Sequence, residues 1–336
     1  MTTATPEPPA AAGPRTRGAR TRGPRPAPAR AAEPRPGPRA AGQQRRQART
    51  AAAFIAPFAV LFAGMYLAPI GYTVYQSLFR VHHSGLGLSA PTTVFAGLSN
   101  YGTALDDPAF RGSLLRVLLI GIVQVPVMLV LALVLALLLD ARTTLFKRFF
   151  RLAFFLPYAL PGVIGAIMWS YLVAPGLSPI TAAAHHLGLH LDLTSDAMLA
   201  PTIGNMLTWG WTGYNMLIIY SALQAIPAEL SEAATMDGCS AWGIAWRIKV
   251  PLVRPALVLT TVFSIIGTAQ LYNEPAILHN VAPNLSSAYT PILAAYGQID
   301  ADNFNAAAAE SVLLAVLAFV LSFGFLRIVQ RRGAAL

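Results

Sequence analysis

Residues 232–251, EAATMDGCSAWGIAWRIKVP, place two acids, two glycines, two cations and a closing proline between two of the most apolar segments of the chain. Residues 228–237 are good helix formers, and Pro227 suits a first helical turn because its missing N–H costs nothing there. Gly238 fits the left-handed position that ends a helix. The stretch therefore predicts a helix, a glycine turn and a second segment, each too short and too polar to cross a bilayer.

The chain on both sides of this stretch is apolar enough for a membrane. Hydrophobic residues make up 55% of the 336 residues and charged residues 11%, against roughly 25% charged in a soluble domain. A transmembrane helix needs about 20 mostly apolar residues, because backbone groups cannot stay unpaired in hydrocarbon. Six stretches meet this need and predict an all-α membrane protein with six transmembrane helices. They are residues 52–78, 113–139, 149–173, 199–223, 251–272 and 306–328.

Cations in the short loops orient these predicted spans. Arg and Lys fall between spans two and three, between spans four and five, and after span six, on the same side as a basic N-terminal tail. The pattern predicts a multi-pass protein of the cell membrane with both termini in the cytoplasm. The cations are Arg142, Lys147, Arg148 and Arg151, then Arg247, Lys249 and Arg254, then Arg327, Arg331 and Arg332.

Residues 1–50 form that basic tail, with eleven Arg against two Glu in a stretch rich in Pro, Ala and Gly. They lack the large apolar residues needed to offset the entropy of ordering, which predicts a disordered cytoplasmic tail before a membrane domain at 51–336. No aromatic residues are interleaved to stack bases, so we expect no nucleic-acid partner and assign the charge to membrane orientation. The one cysteine, Cys239, excludes an internal disulfide.

The opening stretch resembles a known signature. The run Glu232-Ala-Ala-x-x-Asp237-Gly238, with Trp242 and Trp246 at their spacing, is similar to the EAA motif in the cytoplasmic loop of ABC importer permease subunits. Five more segments resemble the binding-protein-dependent sugar importers of the maltose and glycerol-3-phosphate type: 56–79, 97–110, 154–169 (FFLPYALPGVIGAIMW), 273–280 and 283–293. Departures from the family pattern are Cys239 in place of Ala, Ala245 in place of an aromatic residue, and Glu310 in a usually apolar last span.

The resemblance implies a type I ABC importer permease fold, with a coupling helix between spans four and five inside an element at about 227–250. It implies a subunit that forms half of a sugar pathway and has three kinds of partner: a second permease subunit in a heterodimer, an ABC ATPase dimer, and an extracytoplasmic solute-binding protein. It also implies the residues that couple to the ATPase. They are Glu232 and Gly238 at the contact, and Ala233, Ala234 and Asp237 shaping it.

The sequence lacks the motifs for binding ATP and for catalysis. Its two lysines, Lys147 and Lys249, both lie outside any G-x-x-x-x-G-K-[ST] phosphate loop. We therefore expect no cofactor in this chain, with ATP and Mg²⁺ bound by the partner ATPase, and no catalytic residue, since H-E-x-x-H and G-x-S-x-G are absent. Histidines with loose metal-ligand spacing are interpreted as loop residues, and no metal site is predicted. They are His82, His83, His185, His186 and His190, beside Asp192.

Polar residues at membrane depth are costly and usually face a cavity or another helix, so they are candidates for a solute path. Aromatic rings beside amides suit sugars, since a ring stacks on C–H faces while amides bond hydroxyl groups. The alternative is that the amides only join helices and the rings only anchor at the interface. The candidates are Gln124, Asn205, Trp209, Tyr214, Asn215, Gln270, Tyr272, Asn273, Glu274 and Glu310.

Three other interpretations of the sequence stay open. The polar insert can simply lie at the membrane surface as an amphipathic segment. The protein can be an ion-coupled secondary transporter, which would move solute without any ATPase. It can also be a membrane enzyme or non-catalytic scaffold, of which the enzyme would show turnover by the isolated chain.

Overall fold

The computed structural model describes residues 38–82, 92–141 and 143–333, which are almost entirely helical. The longer helices are α1 (Pro38–Phe62), α2 (Ala68–Ser77), α3 (Ser99–Asp106), α4 (Pro108–Asp140), α5 (Lys147–Ala159), α6 (Gly162–Val173), α7 (Pro179–His186), α8 (Asp196–Gln224), α9 (Ala228–Met236), α12 (Arg254–Ala269), α14 (Pro291–Asp300) and α15 (Phe304–Gly333). The short ones are α10 (Ala241–Ile244), α11 (Val250–Leu252) and α13 (Asn273–Leu278), with π-helical turns at Ala63–Leu67 and Ala245–Lys249.

Helix α1 begins at Pro38, on the N-terminal side of the predicted boundary between tail and membrane domain. Residues 1–37, to which most of the predicted disordered tail belongs, lie outside the described residues. The chain divides after Leu61, and from Phe62 onward the helices pack as a second unit.

A small hairpin is the one departure from an all-α fold in the described residues. Strands β1 (Phe79–His82) and β2 (Thr92–Phe95) pair antiparallel, with Phe79 opposite Phe95 and their rings edge to face at 5.5 Å. Residues 80–112 lie between the first two predicted spans, and the strands form in the first part of this loop. β-branched residues such as Thr92, Thr93 and Val94 favour paired strands, whereas the second part of the loop forms α3.

Fewer spans than the six predicted satisfy length and hydropathy together. Among the described residues four helical segments do so, or five if one bent pair counts as a single span. Helix α8 covers the predicted fourth span and is long enough, yet it falls outside this set because amide, hydroxyl and glycine residues interrupt its apolar sequence. The four are Arg49–Ser77, Pro108–Asp140, Arg254–Leu278 and Phe304–Arg331, and the bent pair is α5 with α6.

The predicted third span, 149–173, is not one straight helix. Helix α5 ends at Ala159, α6 begins at Gly162, and their axes differ by 93°. Leu160 is extended, as expected for a residue that precedes a proline, and Pro161 caps the second helix. Residues 158–164 around the break are all exposed within this chain.

Helices α4 and α8 pack along each other and form the centre of the second unit. Two apolar clusters are buried between them and their neighbours. One lies nearer Leu199 and includes Ile120, Ile203, Leu207, Leu271, Leu278 and Leu285. The other lies nearer Leu223 and includes Ala132, Ala136, Leu139, Met216, Ile219 and Val253. Small residues in the second cluster let the two helices approach closely, as in other membrane bundles.

Candidate functional site

The polar insert, residues 227–250, has the helix and turn that its sequence predicts. Pro227 caps α9 in an extended conformation, and Glu229 lies in the first turn, near the positive end of the helix dipole. At the other end Gly238 has φ of +79°, and the amides of Gly238 and Cys239 donate to the carbonyl oxygens of Thr235 (3.0 Å) and Ala234 (2.9 Å). This pattern of two hydrogen bonds satisfies carbonyls that α9 leaves open and turns the chain sharply.

The second arm of the insert starts with a side-chain cap. The Ser240 hydroxyl accepts a hydrogen bond from the Gly243 amide at 3.2 Å, which begins α10. The π-helical turn that follows carries the chain into α12. Trp242 and Trp246 lie one turn apart with ring centroids at 5.5 Å, and they are 72% and 44% exposed. Met236, the last residue of α9 and the neighbour of Asp237 in the sequence, is 90% exposed.

The predicted coupling residues lie in one short segment but differ in burial. Glu232, Ala233, Asp237 and Gly238 are exposed, whereas Ala234 is buried and turned inward. A Cβ at Gly238 would meet no atom within 4 Å. The exposed members therefore lie on a surface that another protein can reach.

The insert is fastened to the helix bundle at both of its roots, by a residue that the sequence did not single out. Asp140, the last residue of α4, accepts a hydrogen bond from the Gln224 amide nitrogen at 2.6 Å through Oδ1. Its Oδ2 forms an ion pair with Lys249 Nζ. Gln224 ends α8 just before the insert, and Lys249 lies at its far end.

A cavity of about 380 Å³ lies beside the break between α5 and α6. Aromatic rings from α5, α6 and α8 line it, with Asn273 and Glu274 of α13 as polar groups. Trp169 and Trp209 meet edge to face at 5.9 Å, and Tyr158 stacks on Tyr214 at 4.6 Å. This combination of rings, an amide and a carboxylate suits a polyhydroxylated solute.

Two of the other path candidates make contacts between helices. Gln124 accepts from the Thr268 hydroxyl at 3.2 Å and donates to Met128 Sδ at 3.3 Å, which links α4 to α12. Asn215 donates to Met128 Sδ of α4 at 3.7 Å and to the Trp211 carbonyl of its own helix at 3.1 Å, while its buried Oδ1 has no hydrogen-bond partner among the described residues. Both side chains are almost completely buried. Their hydrogen bonds are those expected of residues that join helices.

The remaining candidates are scattered. Asn205 lines a separate, mostly apolar groove between α4 and α8. Gln270 is exposed where α12 ends, and Tyr272 stacks on Tyr296 at 4.9 Å. Glu310 is 2% exposed, and its Oε1 accepts from Gln298 at 3.2 Å. The structure thus brings Trp209, Asn273 and Glu274 to one cavity and leaves these four elsewhere.

The loop between α13 and α14 is held in place by Arg116 and Asn284, two residues that the sequence analysis did not single out. Arg116 donates to the carbonyl oxygens of Ala288 (3.3 Å) and Tyr289 (3.1 Å), with its guanidinium 5.1 Å from the centre of the Tyr289 ring. Asn284 donates to the Asp196 carboxylate at 2.7 Å. Burial raises the pKa of Tyr289, and the Arg116 charge opposes that rise.

The interpretation of the histidines as loop residues is wrong for His185 and His186, which end α7, and for His82, which ends β1. His185, His190 and Asp192 border one cavity. In the described part of the chain, however, no three or more His, Cys, Asp or Glu side chains are grouped so as to hold a metal ion. The Asp192 carboxylate is already engaged by Thr194, whose hydroxyl (2.7 Å) and amide (2.9 Å) lower its pKa. His83 lies outside the described residues.

Comparison with known proteins places this geometry in context. Residues 128–333 match the family described as binding-protein-dependent transport system inner membrane component. The lactose transport system permease protein LacF of Rhizobium radiobacter is 30% identical over 227 residues, covering 66% of this chain and 73% of LacF. The trehalose transport system permease protein SugA of Mycobacterium tuberculosis is 28% identical over 286 residues, covering 84% of this chain and 89% of SugA.

The fold also matches a solved structure. A bacterial alginate ABC transporter in complex with an alginate pentasaccharide-bound periplasmic protein aligns with a TM-score of 0.71, at 16% identity, over 86% of this chain and 96% of the matched chain. At 16% identity the match supports the fold alone.

Proposed function

Because the chain belongs to the family of binding-protein-dependent transport system inner membrane components, we propose that it forms half of the pathway by which an ABC importer takes up a sugar or sugar derivative. It is a multi-pass membrane permease subunit, not an enzyme. Two relatives are named for lactose and trehalose transport, and the aromatic cavity beside α5 and α6 has the chemistry to bind such solutes. The observation that carries the proposal is the exposed insert between α8 and α12, a polar protrusion on an otherwise apolar chain.

We infer six spans in the membrane, with α8 as the fourth and α5 with α6 as a broken third. Thr202 and Asn215 of α8 are buried in the bundle, which supports its placement in the membrane despite its lower hydropathy. The positions of Arg and Lys support cytoplasmic termini and a cytoplasmic insert. Residues 51–336 would then be one permease domain with the N-terminal tail in the cytoplasm.

In this proposal the insert docks in a cleft of an ABC ATPase dimer. Glu232, Asp237 and Gly238 present the exposed contact, Ala233 fits beside them, and Ala234 holds α9 against the rest of the element. ATP and Mg²⁺ are bound by the ATPase, and this chain binds no cofactor. Inverting a two-state equilibrium from 1:99 to 99:1 takes about 5.5 kcal/mol. Closure of the ATPase dimer supplies this energy and drives alternating access.

The other partners follow from the family and from the shape of one subunit. A second permease subunit, in a heterodimer, completes the pathway, and an extracytoplasmic binding protein delivers the solute. Along the path we assign solute contact first to Trp209, Tyr214 and Asn273 around the aromatic cavity. The further candidates remain Gln124, Asn215, Gln270, Tyr272 and Glu310.

The test is to substitute the exposed contact in the complete importer, reconstituted in proteoliposomes. Glu232→Trp and Gly238→Trp should abolish solute uptake while the chain still inserts in the membrane. A bifunctional thiol reagent on Cys239, which is partly exposed next to Gly238, should join the chain to the ATPase. Normal uptake by both variants would refute the assignment. Uptake by the permease without any ATPase would instead favour a secondary transporter.

A further inference from the structure

Asp140 holds both roots of the insert through different oxygen atoms of one carboxylate. Oδ1 accepts from Gln224 at 2.6 Å, and Oδ2 pairs with Lys249. The Asp140 side chain is 9% exposed and that of Lys249 is 21% exposed, so this pair is screened by salt much less than a surface pair. The backbone carbonyl of Asp140 also accepts from Lys147 Nζ, at 3.4 Å.

These contacts close the insert into a loop fastened to a third helix. Val250 at the end of the insert and Ile226 just before it also pack against the apolar cluster at this end of α4 and α8, so the Asp140 contacts add a polar link to an apolar one. With them, the end of α4 cannot move independently of either root. Helix α4 packs against both α8 and α12, so a displacement of the insert is passed directly to the centre of the bundle.

We propose that Asp140 is a positioning residue that transmits movement of the insert to α4. This inference rests on the proposed function, in which the insert receives force from an ATPase. Asp140 itself touches neither solute nor ATPase in this scheme. Its part is to make α4, the end of α8 and the π-helical turn Ala245–Lys249 move as one body when the ATPase closes.

The chemistry of the contact makes the idea testable by charge reversal. Removing one member of a buried pair leaves the other charge uncompensated, which loosens the contact. A reversed pair, Asp140→Lys with Lys249→Asp, restores the attraction between the two helices. Gln224 suits either polarity, because its side-chain amide both donates and accepts hydrogen bonds.

The experiment measures solute taken up per ATP hydrolysed by the complete importer in proteoliposomes, with trehalose as the first solute offered and lactose as the second. Asp140→Asn and Lys249→Met should each lower this ratio by roughly tenfold, within the range expected for residues that carry coupling. Lys249→Arg, which keeps the charge, and the double charge reversal should both restore it. Asp106→Asn, the same chemical change at an exposed acid of α3, is the matched control and should leave the ratio unchanged.

The outcomes separate this inference from the proposed function. If the wild-type importer shows no ATP-driven uptake, the proposed function fails first. If it transports and both single variants keep the wild-type ratio, the role of Asp140 is overturned. Loss in the single variants without recovery in the reversed pair also overturns it. Should Asp140→Asn fail to reach the membrane, the comparison of Lys249→Met with Lys249→Arg decides in the same way.

Discussion

Gly213 of α8 lies directly against the backbone of Phe154 in α5, so that a Cβ at residue 213 would stand 1.9 Å from the Phe154 carbonyl oxygen. No side-chain rotation relieves this overlap, because the atom that blocks it belongs to the main chain. The contact fixes how closely the first half of the broken span approaches α8, and it explains why glycine occupies this position.

Gly213→Ala should therefore separate α5 from α8 and lower the free energy of unfolding by about 1–3 kcal/mol, the usual cost of overpacking. Gly210→Ala is the matched control in the same helix, since a Cβ there meets no atom within 4 Å. It should be neutral or slightly stabilising. Thermal unfolding of the two purified variants in detergent makes the comparison, and equal melting temperatures would contradict the close approach.

The turn at Gly238 gives a second prediction. Its φ of +79° suits glycine and, less well, asparagine, but not a β-branched residue. Since a Cβ has open space there, Gly238→Asn should keep most of the ATP-driven uptake and Gly238→Val should lose it. Circular dichroism of both variants should show unchanged helix content, and uptake in proteoliposomes gives the result. Equal loss in both would mean that the surface, rather than the backbone conformation, matters at this position.

The carboxylate of Glu274 in the aromatic cavity predicts that the importer discriminates against anionic sugars. This carboxylate repels anionic sugars, and like charges brought together at a binding surface cost several kcal/mol. A uronate oligosaccharide should therefore compete poorly with trehalose for uptake by the wild-type importer, and better after Glu274→Gln. Asp300→Asn, at an exposed residue that ends α14, should leave the competition unchanged. Identical competition in all three proteins would remove Glu274 from the solute path.

The hydrogen bond between Gln124 and Thr268 gives a fourth prediction. If these residues only join α4 to α12, Gln124→Leu and Thr268→Val should each lower stability by about 0.6 kcal/mol or somewhat more, and the double variant should cost less than the sum. Unfolding in a denaturing detergent measures the cycle. Uptake should then reach half its maximum at an unchanged solute concentration, and a shift in that concentration for Gln124→Leu would instead support direct contact with solute.

Local rules were enough to predict the insert. Helix formers, one acid in the first turn and Gly238 specify α9 and its turn whatever the rest of the chain does. The partnership of Asp140 with Lys249 was not predictable in this way, because it depends on how α4 and α8 pack. Glu274 was a candidate for the solute path from the sequence, but its place in the cavity depends on how α13 packs beside α6.

The prolines of the predicted third span indicate where its helix can break but not the angle of the bend. Pro157 lies inside α5 and is tolerated there, whereas Pro161 ends the helical path. A proline predicts a kink but not its direction, and the 93° bend comes from the packing of α6 against its neighbours. The run of mostly apolar residues at 199–223 likewise predicted the length of α8, but the mean hydropathy of that helix is lower than this count suggested.

The bend between α5 and α6 also limits what this chain can be by itself. Peptide groups that lack a helical partner are tolerated at hydrocarbon depth only against other protein or water, and residues 158–164 are all exposed in the described part of the chain. Lipid tails would leave those groups without hydrogen bonds. A single copy of the chain in a bilayer therefore lacks cover for the backbone at this bend. Its stability in membranes should depend on co-expression of the subunit that packs against the bend between α5 and α6.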